Sequence, residues 1–138
     1  MNIISTRVHA RIDYIAGIIF MASPWIFNFN ESVPATWTPI TIGFMALMMS
    51  LFTNYEGGMV RSIPMKAHLT VDIISGAFLA ASPWLLGFSQ EVFLPHLIMG
   101  LFEVTASLLT EKHASFEKVT ETPVDPQAEG VNKTGPRV

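Results

Sequence analysis

The chain contains the segment HARIDYIAGIIFMASPWIFNF at residues 9–29 and a near copy, HLTVDIISGAFLAASPWLLGF, at residues 68–88. At the constant offset that takes His9 to His68, both copies hold a histidine, an aspartate on the next helical turn, a glycine, the tripeptide Ser-Pro-Trp and a closing phenylalanine. A fixed internal period of this size is typical of a duplicated structural unit. The sequence therefore predicts one structural element built twice.

Composition favours a lipid environment. Of the 138 residues, 50% are hydrophobic and 14% are charged, whereas soluble domains contain about 25% charged residues. The net charge of -3 gives no reason to expect a nucleic-acid partner. The chain has no cysteine, which excludes disulfides, iron–sulfur clusters, thiolate zinc sites and covalent haem attachment of the c type.

Four apolar stretches are each close to the length that a helix needs to cross a bilayer. Because polar side chains are almost absent from the middle of these stretches, they lack the polar stripe of a soluble amphipathic helix. We therefore expect an all-α integral membrane four-helix bundle, and we interpret the first stretch as a retained helix. The predicted stretches are about Ile12–Phe29, Trp37–Phe52, Leu69–Phe88 and Phe93–Leu109.

The second helices of the two units also match, at a slightly smaller offset that pairs Ser50 with Ser107 and Thr53 with Thr110. Each repeat is thus two helices, repeat one over about residues 7–53 and repeat two over about 66–110. An even number of crossings gives both repeats the same orientation in the membrane. Residues 1–110 form the predicted transmembrane domain, and residues 111–138 form a polar, largely disordered cytoplasmic tail.

The basic residues predict the orientation of the chain. All eight fall on one side of a four-crossing arrangement, and the opposite loops, at residues 30–36 and 89–91, contain none. By the positive-inside rule both termini are cytoplasmic, so we expect a multi-pass protein of the cytoplasmic (inner) membrane. The residues on this side are Arg7, Arg11, Arg61, Lys66, Lys112, Lys118, Lys133 and Arg137.

The Ser-Pro-Trp tripeptide occurs near the outer end of the first helix of each repeat. Proline should kink or end the helix, serine can satisfy a freed backbone carbonyl, and tryptophan suits the interfacial aromatic belt. We favour this structural interpretation over a ligand platform formed by the tryptophans. Two other prolines, Pro39 and Pro95, are expected at or near the starts of the second helices. The two copies are Ser23, Pro24 and Trp25, and Ser82, Pro83 and Trp84.

With two ASPW sequences, each in the first helix of a helix pair, the chain resembles the SPW-repeat family of small prokaryotic membrane proteins. The resemblance covers about residues 7–110. It implies an integral membrane protein of paired helices. It brings no established activity and no catalytic residues.

A second group of residues is the candidate polar cluster: His9, Asp13, His68, Asp72 and Glu103. In each copy the histidine and aspartate are spaced i, i+4 and share a helix face. Ionisable residues in a membrane segment suggest a functional site, here one that binds a cation or transfers protons. Two imidazoles with carboxylates would suit a divalent transition metal, although the presence of a metal stays open.

The alternative for this cluster is structural, and we favour it. Each aspartate would accept hydrogen bonds from its own histidine, from the Tyr14 or Thr70 hydroxyl, or from the other repeat, and so fix helix register. The remaining histidines, His96 and His113, are expected in a loop and in the tail.

Three functions remain open. The first is a non-enzymatic scaffold or accessory subunit of a membrane complex, which we favour because no hydrolytic or phosphate-binding motif occurs. The second is a small oligomeric transporter or an ion- or proton-conducting protein that uses the His-x3-Asp pairs. The third is a haem- or metal-binding redox subunit. We predict no enzyme activity and no cofactor, and we expect the lipid bilayer, further copies or other membrane subunits as partners.

Overall fold

The computed structural model describes residues 3–114, which form four α-helices and no β-strand beyond two isolated bridges. The helices are α1 (Thr6–Ile26), α2 (Val33–Phe52), α3 (Met65–Leu85) and α4 (Leu94–Leu109). The predicted all-α, four-helix architecture is confirmed. The predicted tail lies outside the described residues from residue 115 on.

The helices pack as two antiparallel hairpins, α1 with α2 (hairpin one) and α3 with α4 (hairpin two). Glycines allow the backbones within each hairpin to approach closely. A Cβ on Gly43 would lie 2.6 Å from the Gly17 carbonyl oxygen, and a Cβ on Gly76 would lie 2.9 Å from that of Gly100. Such small-residue contacts are a common way of packing apolar helices.

Backbone contacts next to the helix ends follow the two sequence offsets. Ile4 donates its N–H to the Leu109 carbonyl at 3.0 Å, and Ile63 donates to the Phe52 carbonyl at 2.9 Å. The offset of the first helices takes Ile4 to Ile63, and the offset of the second helices takes Phe52 to Leu109, so the two contacts are equivalent. The segment before α1 is thereby joined to the end of α4, and the segment before α3 to the end of α2.

Three apolar clusters and one polar layer follow each other along the bundle. At one end Phe29, Ala35 and Phe88 pack together, and in the middle Phe20 and Leu79 belong to a second cluster. A polar layer, formed by His9 and Asp13 of α1 and His68 and Asp72 of α3, lies one to two turns nearer to the starts of these helices. The third cluster closes the other end and includes Ala10, Tyr55, Met65, Leu69 and Ala114.

The Ser-Pro-Trp tripeptides lie inside the last turns of α1 and α3. Proline has no N–H, so Pro24 leaves the Phe20 carbonyl without its helical donor. Ser23 Oγ donates to that carbonyl at 2.7 Å, and Ser82 Oγ donates to the Leu79 carbonyl at 2.8 Å. Each helix ends within two residues of its proline. The tryptophans that follow point outward, and Trp84 lies against Phe93.

The expected position of Pro39 was wrong. The helix begins at Val33, with Pro34 in its first turn, so Pro39 lies inside α2 and is buried. Pro39 leaves the Ala35 carbonyl without a helical donor, and His96 Nε2 donates to that carbonyl at 2.9 Å. The prediction of His96 as a loop residue was therefore also wrong. It is buried in α4 between two phenylalanine rings, each 4.9 Å away.

By length and composition, α2 is the one helix within residues 3–114 that could cross a membrane, and α4 is apolar but has 16 residues. The histidine, aspartate and basic residues in the first turns of α1 and α3 lower the hydropathy of those two helices. A single helix of this length and hydropathy is weak evidence for a membrane protein, because the core helix of a soluble protein can have the same length and hydropathy.

Close packing at Gly100 predicts a large effect of a bulky side chain there. A Cβ on Gly100 would overlap the backbone of Gly76 and Ala80. We expect Gly100→Leu to lower the free energy of unfolding by about 2–3 kcal/mol, measured by chemical denaturation. Ala77→Leu, on an exposed position of α3, is the matched control and should change it by about 0.5 kcal/mol or less. Equal denaturation midpoints for the two variants would contradict this packing.

Candidate functional site

Four buried side chains meet between α1 and α3, and we refer to them as the quartet: His9, Asp13, His68 and Asp72. His68 Nε2 lies 3.0 Å from Asp13 Oδ2 and 3.0 Å from Asp72 Oδ2. His9 Nε2 lies 3.4 Å from Asp13 Oδ1 and 3.3 Å from Asp72 Oδ2. Each imidazole therefore contacts the carboxylate of its own helix and that of the other helix.

Helix geometry brings these four residues together. The spacing i, i+4 places each histidine and aspartate on one face, and both pairs begin in the first turn and a half of their helices. The helices α1 and α3 run in the same direction, since the histidines meet at one end and Phe29 and Phe88 both pack on His96 at the other. Equivalent positions thus lie at the same level of the bundle.

Two threonines orient the imidazoles. Thr53 Oγ1 donates to the Met49 carbonyl at 2.6 Å and lies 2.8 Å from His68 Nδ1. Because a hydroxyl has one proton, Thr53 must accept a hydrogen bond from the Nδ1–H group of His68. Thr110 has the same role for His9, with its hydroxyl 3.0 Å from Nδ1. It donates to a carbonyl of its own helix at 2.6 Å. Both Nε2 atoms are thereby directed at the carboxylates.

Hydroxyl groups also support the carboxylates. Ser50 Oγ donates to Asp13 Oδ2 at 3.0 Å, and Ser107 Oγ donates to Asp72 Oδ2 at 3.2 Å. Tyr55, a buried residue of the connector between the hairpins, donates to Asp13 Oδ2 at 3.3 Å. Burial and the nearby Asp13 carboxylate raise the pKa of Tyr55 above its ordinary value of 10.0. The phenol therefore stays protonated and serves as a donor at neutral pH.

Glu103 lies beside the quartet without joining it. Its Oε1 is 3.0 Å from Ser75 Oγ, and its Oε2 is buried with no hydrogen-bond partner. A cavity of about 10 Å³ adjoins Glu103 and three members of the quartet, which is close to the space that one water molecule requires. The structure thus brings four of the five predicted cluster residues into contact and places the fifth across this cavity.

Two of the expected partners of the aspartates bond elsewhere. The Tyr14 hydroxyl donates to the Gly57 carbonyl at 3.0 Å, and the Thr70 hydroxyl donates to the Lys66 carbonyl at 2.8 Å. Of the three alternatives for the partners of Asp13 and Asp72, the structure shows the histidine of the same helix and the other repeat, and not these hydroxyls. Both are held by backbone carbonyls nearby, whereas the aspartates turn inward. His113 follows α4 and is exposed, as expected of a residue in the tail.

Sequence reasoning missed the hydroxyl residues that support the quartet: Ser50, Ser107, Thr53 and Thr110. A signal for them was present, since they pair with each other at the same offset as the rest of the second helices. Serines and threonines near helix ends are common, and a hydroxyl does not itself titrate. Their role became visible only when the fold placed them against His9 and Asp13 and their counterparts.

The quartet can act as a neutral hydrogen-bonded charge cluster or as a set of metal ligands. One ligand atom from each of its four residues can be chosen so that all lie within 4.8 Å of one another. In either state the buried carboxylates need the positive partners that the other residues or an ion supply.

Removal of one quartet charge should cost more than removal of a surface charge. We expect Asp72→Asn to lower the free energy of unfolding by about 3–5 kcal/mol, because both imidazoles lose a charged partner in a buried site. Chemical denaturation measures the loss. Glu91→Gln in the exposed loop before α4 is the control, with an expected change of about 0.5 kcal/mol or less. A similar small change for both variants would rule out a stabilising charge cluster.

Comparison with known proteins assigns the helical part of the chain to a family. No curated protein and no solved structure matches the chain. The model of the SPW repeat domain matches residues 7–110, which include the quartet and all but the first residue of the four helices. The chain therefore belongs to the SPW repeat domain family.

Proposed function

We propose that this chain is a multi-pass membrane protein with a non-enzymatic function, as a scaffold or accessory subunit of a membrane complex. The observation that carries the proposal is the distribution of polarity. The ionisable quartet is buried between the helices, while large apolar side chains are exposed around them. Ionisable groups that face a bundle interior, with apolar groups outside, are typical of proteins in lipid. Examples of the exposed apolar residues are Ile15, Ile18, Phe44, Ile74, Ile98 and Leu101.

Helix dimensions are consistent with this location. Helices α1 and α3 each contain 21 residues and α2 contains 20. At about 1.5 Å per residue they are roughly 30 Å long, which equals the thickness of a bilayer core. The shorter α4 would require local thinning of the bilayer or adjustment of its flanks.

The two ends of the bundle differ in the way that a membrane topology requires. Trp25, Trp37 and Trp84 are more than half exposed at the end that holds the loops between α1 and α2 and between α3 and α4. The basic residues among residues 3–114 lie at the other end. An aromatic belt outside and basic residues inside support cytoplasmic termini. In this proposal the hairpins are duplicated, co-oriented units related by an axis along the membrane normal.

Apolar surface supports a binding function. A groove of about 280 Å³ lies between α1 and α4, which contact each other less extensively than the helices within a hairpin. Its lining is almost wholly apolar, and we propose that it receives apolar side chains from a helix of a neighbouring membrane subunit. The residues that line it are Ile12, Ile15, Ala16, Ile19, Phe20, Ile98, Met99 and Phe102.

The quartet gives less support to transport or haem binding. Its imidazole and carboxylate groups are engaged with one another and with hydroxyl groups. The adjoining cavity of about 10 Å³ has no space for a porphyrin or a hydrated ion. A scaffold function needs no such space, because its binding surface lies on the outside of the bundle.

Cysteine labelling tests the topology, since the chain has no native cysteine. Gln90→Cys lies in the outer loop of hairpin two, and Met59→Cys lies in the connector, where the native side chain is 80% exposed. We expect a membrane-impermeant maleimide to label Gln90→Cys in intact cells and Met59→Cys only after permeabilisation. Inverted membrane vesicles should show the reverse. Labelling of both positions from one side would exclude the proposed four crossings.

Association through the groove is tested by filling it. Ala16→Phe places a ring in the groove, and Ala77→Phe makes the same change on an exposed position of α3. After mild solubilisation of native membranes, we expect the wild type and Ala77→Phe to purify as an oligomer or with a stoichiometric membrane subunit. Ala16→Phe should purify alone. Native mass spectrometry reads the composition, and unfolding temperatures show whether both variants fold.

A wild-type protein that is monodisperse, monomeric and free of stoichiometric partners would contradict the scaffold proposal. If Ala16→Phe and Ala77→Phe purify with equal amounts of bound partner, the binding surface does not lie in the groove.

A further inference from the structure

We infer that the quartet is a binding site for one divalent transition-metal ion such as zinc. The ligands are His9 Nε2, His68 Nε2 and one carboxylate oxygen each from Asp13 and Asp72. This inference goes beyond the scaffold function and does not depend on it, because the site lies inside the bundle and the proposed binding surface lies outside.

The imidazoles and carboxylates converge in one buried group. His68 Nε2 hydrogen-bonds to Asp13 Oδ2 at 3.0 Å, and His9 Nε2 hydrogen-bonds to Asp72 Oδ2 at 3.3 Å, so each imidazole is paired with the carboxylate of the other helix. Each nitrogen also lies close to the carboxylate of its own helix, at 3.4 Å for His9 and 3.0 Å for His68. One ligand atom from each of the four residues lies within 4.8 Å of the other three. Two imidazole nitrogens and two carboxylate oxygens thus share one small buried volume, which is a ligand set that zinc binds.

The cluster is compact enough to surround a single ion. Zinc binds imidazole nitrogen and carboxylate oxygen at about 2.0–2.2 Å, so neighbouring ligand atoms of a tetrahedral site are about 3.3–3.6 Å apart. With one oxygen from each aspartate, the distances from His68 Nε2 to Asp13 Oδ2 and Asp72 Oδ2 are both 3.0 Å, and that from His9 Nε2 to Asp72 Oδ2 is 3.3 Å. All four ligand atoms lie within 4.8 Å of one another, so the widest pair would approach by up to about 1.2 Å to reach the ligand spacing of a zinc site. The arrangement would involve side chains from only α1 and α3, two helices that the rest of the fold already holds in register.

The groups around the ligands match those that usually surround a metal site. Histidine ligands usually donate their second ring N–H to a fixed acceptor, which sets the tautomer, and ligating carboxylates are themselves hydrogen-bonded. Thr53 and Thr110 accept from the two Nδ1–H groups, and Ser50 and Ser107 donate to the two carboxylates. Because both Nδ1 atoms are protonated, neutral imidazoles would present lone pairs at Nε2, as metal ligation requires.

The charges of the four ligands balance the charge of one divalent ion. Two carboxylates and one divalent cation, with two neutral imidazoles, have no net charge and can therefore be buried together. Without a metal, two protons shared among the four groups give the same neutrality, and each imidazole then lies 3.0–3.4 Å from two carboxylates. A divalent ion would replace these two protons and contact both carboxylates at once.

The ligand set also indicates which ion is bound and what it does. Imidazole nitrogen suits zinc, copper, iron and nickel better than calcium or magnesium. Four protein ligands with no open position are typical of a structural zinc site rather than a catalytic one. The adjoining cavity of about 10 Å³ leaves space for little more than one water molecule. The ion would therefore join hairpin one to hairpin two.

Metal content of the purified protein tests the inference. The full chain is purified in detergent through a tag without histidine, dialysed, and analysed by inductively coupled plasma mass spectrometry. We expect about one ion of zinc or a similar transition metal per chain. After chelation, added Zn²⁺ should raise the unfolding temperature, and added Co²⁺ should give the visible absorption of a tetrahedral site.

Variants locate the ion. His9→Gln combined with His68→Gln should abolish stoichiometric binding, and His96→Gln, which removes a buried histidine outside the quartet, should retain it. Thr53→Val combined with Thr110→Val keeps all four ligands and should weaken binding by about 10- to 100-fold. This second pair keeps the test informative if the double histidine variant does not fold.

Two results would overturn the inference. One is a wild-type protein whose unfolding temperature and Co²⁺ spectrum do not respond to added metal after chelation. The other is metal binding that survives in the double histidine variant, which would assign the ion to another site such as the exposed His113. Neither result affects partner binding at the groove, so the failure of this inference and the failure of the scaffold proposal are distinguishable.

Discussion

The need to neutralise two buried carboxylates is the constraint on which the rest of the bundle depends. Asp13 and Asp72 are held away from water between α1 and α3, where an unpaired charge would cost several kcal/mol. Their positive partners come from the same two helices, and the hydroxyl donors come from α2, α4 and the connector. Every helix therefore contributes to one polar layer, and relative sliding of any helix would break part of it.

Backbone groups that proline leaves unpaired form a second, smaller set of constraints. Two of them are satisfied locally, because the serine before Pro24 or Pro83 reaches the freed carbonyl of its own helix. The third is satisfied at long range, since the Ala35 carbonyl freed by Pro39 accepts from His96 of hairpin two. The same chemical problem thus has a local solution in α1 and α3 and an interhelical solution in α2.

The sequence was sufficient for features that repeat or that act locally. The internal repeat and the apolar stretches predict four helices, and the i, i+4 spacing places each histidine beside its aspartate. Contacts between distant segments were not accessible in this way. His96 could not be assigned, because its partner is a backbone carbonyl far away along the chain, in the other hairpin. Glu103 was grouped with the aspartates as an ionisable residue of a predicted membrane segment, yet lateral packing places it against Ser75.

The pattern of partners explains why one hairpin would not suffice. Each carboxylate receives a serine hydroxyl from its own hairpin, Asp13 from Ser50 and Asp72 from Ser107. Each imidazole, however, is oriented by a threonine of the opposite hairpin, and each also contacts the carboxylate of the opposite hairpin. An isolated hairpin would therefore contain an imidazole without its orienting threonine, and a carboxylate that keeps its serine but lacks the imidazole of the opposite hairpin. Because that deficit disappears only when both hairpins are present, the polar layer couples their folding, whether the quartet holds two protons or one metal ion.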